Sequence, residues 1–211
     1  MALSQGIKKL AFGLVASVLF SAQALASGGA PARGYTETDY PIVMIGGFLA
    51  FDEILEKHNL EKIKTIGDAY MCAGGLPKAN VTNPVDAVRA ALDIQAFMET
   101  FKRERVANNR PFFEARVGVH TGAVVAGVIG KKKFAYDIWG DAVNVASRME
   151  SSGEVGKVNI SGTTYEIVRE HFNTTYRGKI AAKNKGEVDM YFVDSISWEA
   201  MKKGLFTKDE E

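Results

Sequence analysis

From Phe48 onward, short apolar runs alternate with longer amphipathic segments, and this alternation limits the chain to a sheet covered by helices. Phe48 to His58 places Phe48, Phe51, Ile54 and Leu55 at helical spacing, with Glu and Lys opposite. Ile63, Ile66, Tyr70 and Cys72 fall in two strand-like runs flanking Gly67-Asp68, a composition that makes a tight hairpin. Asn83-Pro84 opens a helix that runs to about Arg105, with Val85, Val88, Ala91, Leu92, Ile94 and Phe97 along one broad stripe. Arg116 to His120 and Ala123 to Ile129 read as two strands joined by Thr121-Gly122. Ala142 to Met149 and Gly162 to Phe172 read as helices, and Lys157 to Ile160 and about Met190 to Val193 as strands. The order is helix, hairpin, helix, hairpin, helix, strand, helix, strand. The expected fold class is α+β, a mostly antiparallel sheet with helices packed on one side.

The 211 residues are 46% hydrophobic and 24% charged, enough apolar material to bury a core. A formal net charge of +1 provides no broad basic field, so nucleic acid is not an expected partner. The single cysteine, Cys72, excludes an internal disulfide framework and a multi-cysteine metal cluster. A strand cysteine of this kind reads as a small buried hydrophobe. His58, His120 and His171 show no ligand spacing. A mean hydropathy of −0.06 excludes a polytopic membrane protein.

The first residues follow a different rule. Lys8 and Lys9 precede an apolar run from Leu10 to Phe20, and small residues Ala24 and Ala26 stand three and one places before a cleavage-type site after Ala26. That is the pattern of a secretory signal, and the run is shorter than the roughly 18 residues that span a bilayer. Residues 1–26 are therefore expected to be a signal-like leader and 27–47 a linker with a short strand, Ile42 to Ile45. This start resembles the mature N-terminus of secreted bacterial lipases. The chain has no G-x-S-x-G nucleophile elbow, which excludes acyl transfer of that kind.

Four stretches carry a more extensive resemblance: Glu61 to Tyr70 (EKIKTIGDAY), Arg116 to Gly122 (RVGVHTG), Tyr136 to Met149 (YDIWGDAVNVASRM) and Arg177 to Gly186 (RGKIAAKNKG). In order and spacing they resemble the catalytic domain of class III nucleotidyl cyclases, over roughly Phe48 to Ser195. The resemblance implies a ferredoxin-like, palm-type domain, here 48–197, followed by a tail, 198–211. It implies in-line attack of a ribose 3′-hydroxyl on the α-phosphorus of a nucleoside triphosphate, with pyrophosphate leaving. Such chemistry needs positioning and charge neutralisation more than covalent help. In the family two divalent ions, Mg²⁺ or Mn²⁺, held by paired aspartates supply part of it.

Residue by residue, the resemblance makes Asp68 a metal ligand; taken alone it is a turn aspartate beside Gly67. Lys64 and Asp137 match the pair that reads adenine, the lysine donating to N1 and the aspartate accepting from the exocyclic amine. Guanylyl enzymes carry Glu at the first of these positions and commonly Cys at the second. ATP is therefore the expected substrate. Asn144 and Arg148, four apart on one helix face, match the residues that orient the ribose and stabilise the pentavalent phosphorus. Lys183 matches the lysine on the terminal phosphates, with Lys179 and Lys185 beside it.

One part of the pattern is absent. The family's domain begins with a strand and turn carrying a Phe-x-Asp-Ile-x-x-Phe-like motif, which supplies the first metal aspartate. Upstream of Asp68 the only aspartates are Asp39 and Asp52. The first strand is thus expected to be missing or replaced, and the domain truncated. The primary reading is an adenylate cyclase working as a homodimer. The alternative is a non-catalytic nucleotide-binding half that complements an intact cyclase chain in a heterodimer. The leader points to export or membrane attachment, whereas ATP chemistry expects the cytoplasm.

Overall fold

The structure is a computed structural model, and it describes residues 36–46, 51–67, 69–132, 134–182 and 186–203. The signal-like leader lies outside the described residues, as do Asp68 and Lys183. Eight strands form one sheet: β1 (Thr36–Gly46), β2 (Leu60–Ile66), β3 (Ala69–Gly74), β4 (Arg116–Ile129), β5 (Ala135–Trp139), β6 (Val158–Ser161), β7 (Phe172–Ala182) and β8 (Gly186–Ile196). Five helices accompany them: α1 (Asp52–Lys57), α2 (Asn83–Ala107), α3 (Asp141–Ser151), α4 (Gly162–Val168) and α5 (Trp198–Lys202). The sheet order is β2-β3-β1-β4-β6-β8-β7, with β5 paired to the far end of β4. Every pairing is antiparallel except β4 with β6. The α+β class read from the sequence is the one observed.

The first strand occupies a central place. β1 runs antiparallel to β3 on one side and β4 on the other, with Met44 opposite both Met71 and Gly118. The short strand expected at Ile42 to Ile45 is the inner part of these eleven residues. The sheet position that the sequence reading left missing or replaced is therefore filled by this segment. The next described helix, α1, begins at Asp52, and Phe51 at its N-terminal cap is fully buried, edge-on to Tyr70 at 5.7 Å and to Phe97 at 6.0 Å.

The two faces of the sheet bury different elements. On one, Cys72, Val117, Val119, Val158 and Ile160 pack with Leu55 of α1, Val168 of α4 and the α2 stripe of Ala87, Val88, Ala91 and Ile94. On the other, Met71, Ala73, Val124 and Ala126 pack with Ala142 and Ala146 of α3. Helices thus cover both faces, where the sequence pattern placed them on one. The apolar stripe of α3 looks like any other, and only the alternation along β4 decides which face receives it.

Residues 116–129 form one fourteen-residue strand instead of two joined at Thr121-Gly122. Gly118 within the strand and Gly122, read as a turn residue, both serve close approach. A Cβ on Gly118 would lie 2.0 Å from the Glu150 backbone nitrogen, and one on Gly122 would lie 3.1 Å from the Ala142 Cβ. α3 therefore lies directly on the β4 backbone. The hairpin is made further on by β5, which begins at Ala135 and pairs back along Val125 to Ile129. α5, with Ala200 buried, extends the described fold into the segment expected to be a tail.

Replacing Gly118 by Ala forces the α3 backbone off the sheet. We expect a loss of at least about 2 kcal/mol, read as a lowered midpoint in urea denaturation, with α3 residues the first to lose hydrogen-exchange protection.

Candidate active site

Lys64 and Asp137 are 73 residues apart in sequence and meet across the sheet: Nζ donates to Oδ2 at 2.6 Å. Two local features make the meeting possible. The β2–β3 register shifts between Lys62 and Lys64, so Ile63 is an extra residue in β2. A bulge of this kind re-aims the side chain that follows it. Asp137 sits on β5 opposite Gly127, and its Oδ1 accepts the backbone N–H of Ile138 at 2.8 Å. Both carboxylate oxygens are therefore engaged, in a side chain only 11% exposed, while the lysine remains 37% exposed. The result is a fixed acceptor beside a cation that solvent, or a ligand, can reach.

α3 begins directly after β5. Gly140 makes the turn with φ +144°, where a Cβ would lie 2.9 Å from the Ala123 carbonyl oxygen. Only glycine fits that backbone. The helix then buries Ala142, Val145, Ala146 and Met149 and leaves Asn144 and Arg148 exposed on one side. Neither of these two side chains makes a hydrogen bond or ion pair among the described residues. Four of the six residues assigned from the sequence are thus described, and they lie on β2, β5 and the exposed side of α3.

In the sequence Asp68 stands between β2 and β3, outside the described residues. Mg²⁺ and Mn²⁺ need oxygen ligands, with carboxylates to neutralise them. The neighbouring strand β1 places Gly46 opposite Ala69 and Met44 opposite Met71. No carboxylate occurs from Tyr40 to Phe51. Asp39 is opposite Ala123, seven residues before Gly46 and so about 23 Å away along the strand. Asp52 is already committed: its Oδ1 accepts from the Tyr70 hydroxyl at 2.7 Å and from Lys62 Nζ at 3.2 Å. Those bonds hold the Asp52 carboxyl below its ordinary value, the tyrosine contributing most. Among the described residues no three His, Cys, Asp or Glu side chains are grouped as a metal site.

Other assigned features are structural. Arg177 ties β7 to the end of α3: it donates to the Ser152 carbonyl at 2.8 Å and stacks on Phe192 at 3.9 Å. His58 is buried and bonded to Asp93 at 2.7 Å. His120 is buried beside Ser161, also at 2.7 Å. Cys72 is fully buried, and burial raises its thiol pKa well above the ordinary range, as befits a core residue.

Comparison with known proteins agrees with this geometry. The family model described as the adenylate and guanylate cyclase catalytic domain matches residues 39–195, beginning inside β1. The chain belongs to that family. An adenylate cyclase of Mycobacterium tuberculosis is 42% identical over 146 residues, which cover 69% of this chain and 32% of the relative. Human guanylyl cyclase C is 40% identical over 153 residues, covering 71% of this chain and 14% of the relative. The chain thus spans a third or less of the length of these two relatives. Among solved structures, the catalytic core of a rhodopsin-guanylyl cyclase with converted specificity, in complex with ATPalphaS, has a TM-score of 0.68 at 29% identity. It is matched over its whole length and over 78% of this chain. The adenylyl cyclase CyaB from P. aeruginosa shares the fold, with a TM-score of 0.71 at 24% identity over 78% of this chain and 97% of its own.

Burial first, and then the bond to Asp52, pushes the Tyr70 phenol above its ordinary value of 10.0. The folded state therefore favours the neutral phenol. Its contribution to stability is complete below pH 10 and declines as the pH rises beyond it. Tyr70→Phe should cost about 1 kcal/mol at neutral pH and flatten that alkaline decline, measured by urea titrations on either side of pH 10.

Proposed function

We propose that the chain acts on ATP in the cyclase reaction, as the side of the site that reads adenine and steadies the reacting phosphate. The observation that carries the substrate is the Lys64–Asp137 pair. Adenine presents an N1 acceptor and an amino donor on its Watson–Crick edge. Lys64 supplies the donor and Asp137, anchored by the Ile138 amide, the acceptor. Guanine offers the opposite polarity, an N1–H donor and an O6 acceptor. It would leave a partly buried carboxylate and a lysine facing like partners, and such mismatches are expensive. The named relatives include both adenylate and guanylyl cyclases, so the pair and not the kinship supports ATP.

The ribose 3′-hydroxyl loses its proton and attacks the α-phosphorus, and the bond to the bridging oxygen breaks to release pyrophosphate. Asn144 orients the ribose so that attack is in line. Arg148 places its guanidinium fork against the charge that builds on the equatorial oxygens. Both side chains are exposed and unengaged, available to a ligand. Lys183 is assigned to the terminal phosphates and Asp68 to a divalent cation. A dimer, with a second copy or with another cyclase chain, brings the opposite side of the site.

Binding tests the substrate assignment without requiring turnover. ATP should displace a fluorescent nucleotide from the full chain about ten-fold better than GTP, or more, since one unmatched buried polar group costs about 1–3 kcal/mol. The double change Lys64→Glu, Asp137→Cys should reverse the order. Equal affinities, or preference for GTP in the natural chain, would refute the assignment.

A further inference from the structure

Arg148 stands in the last turn of α3, where a helix is least secure because its final carbonyls have no partners within the helix. Strands β4, β6 and β7 each reach that end of α3 with one side chain. We infer, on the reading of Arg148 given above, that the β7 residue among them, Arg177, is a positioning residue for Arg148. By capping the end of α3 it holds the Arg148 guanidinium where it meets the phosphate.

The local backbone explains how Arg177 comes to point there. The β7–β8 register shifts between Tyr176 and Gly178, so Arg177 is an extra residue in β7. Such a residue leaves the alternation of its strand and is re-aimed. Gly178, with φ +99°, makes the bend. One arm of the Arg177 guanidinium donates to the carbonyl of Ser152, the C-cap of α3, at 2.8 Å. The other donates to Glu154 Oε1 at 3.2 Å, and Cζ lies 3.9 Å over the centre of the Phe192 ring. With the side chain only 17% exposed, these three contacts leave it little freedom. A cation at a helix C-terminus is also favoured by the helix dipole.

Two neighbours complete the clamp. Asn159 of β6, fully buried, donates Nδ2 to the Met149 carbonyl at 2.8 Å. Arg116 of β4 donates to Glu150 Oε1 at 3.0 Å. Arg177 is the member that grips the cap. The Ser152 N–H in turn donates to the carbonyl of Arg148 at 3.0 Å, so the residue held by Arg177 closes the turn on which Arg148 stands. The base-reading pair is built on β2 and β5 and shares none of these contacts. Loss of the clamp therefore reaches the phosphate end of the ligand and spares the base end.

ATP and adenosine, competing for a fluorescent nucleotide on the full chain, separate the two ends, since adenosine has base and ribose but no phosphate. Arg148→Ala should lower ATP affinity about ten-fold, the loss of one charge-assisted pair, and leave adenosine unchanged. Arg177→Ala should lower ATP affinity at least about three-fold, with adenosine again unchanged, because a small misplacement of a positioned group is costly. The double variant should be no worse than Arg148→Ala alone, since Arg177 acts through Arg148. Amide hydrogen exchange in Arg177→Ala should quicken at Ser152 and Gly153 and stay the same at Val145 and Ala146. Should Arg177→Ala not fold, Arg177→Lys, which keeps the charge but loses the fork and the stack, carries the same comparison with smaller changes. An unchanged ratio of ATP to adenosine affinity, equal losses for both ligands, additive losses in the double variant, or unaltered exchange at the end of α3 would each overturn the inference. Failure of the natural chain to bind ATP would instead remove the reading of Arg148 beneath it.

Discussion

The contact on which the site depends is the seating of the α3 backbone on Gly118. β4 is the hub of the sheet: it pairs with β1 along its length, with β6 near its start and with β5 near its end. Because position 118 has no side chain, Glu150 and Met149 approach the strand itself. Gly140 then fixes where the helix starts. These two constraints determine which side of α3 is buried, and so which side carries Asn144 and Arg148. A helix held off by one methyl group would shift both residues, because packed interiors do not deform smoothly.

Electrostatics divides the carboxylates into two groups. Asp52 and Asp93 act as braces, Asp52 with Tyr70 and Lys62, and Asp93 with the buried His58. Asp137 differs in that its partner, Lys64, is more than a third exposed. An ion pair so open to solvent contributes little to stability. What it provides is a donor and an acceptor side by side, held by the Ile63 bulge and the Ile138 amide at a spacing that the folded backbone sets.

The family resemblance and the metal side carry different information. Membership follows from 157 matched positions, 39 to 195. A fold shared across the family does not by itself decide which base or ion a given chain holds.

How much of this was legible in the chain can be followed through particular elements. The α2 stripe, the Gly67-Asp68 hairpin and the α3 stripe were readable because local periodicity and turn chemistry dictate them. The motif stretches sufficed to name the family and to assign Lys64, Asp137, Asn144 and Arg148. The break at Thr121-Gly122 was misread, because a glycine for close approach and a glycine for a turn are the same letter. β5 and β7 went unseen, being strands whose partners, not their own patterns, define them. Of β1 only the inner part, Ile42 to Ile45, was readable, because the polar Thr36 to Tyr40 before it become a strand only through their partner β4. By itself the sequence determined the periodic elements and the family, which are local or contiguous properties. Only the tertiary structure decided that β1 takes the centre of the sheet, that α3 lies on the opposite face from α2, and that Lys64 reaches Asp137. Those outcomes depend on strand pairing and close packing between segments far apart in the chain, which no local pattern encodes.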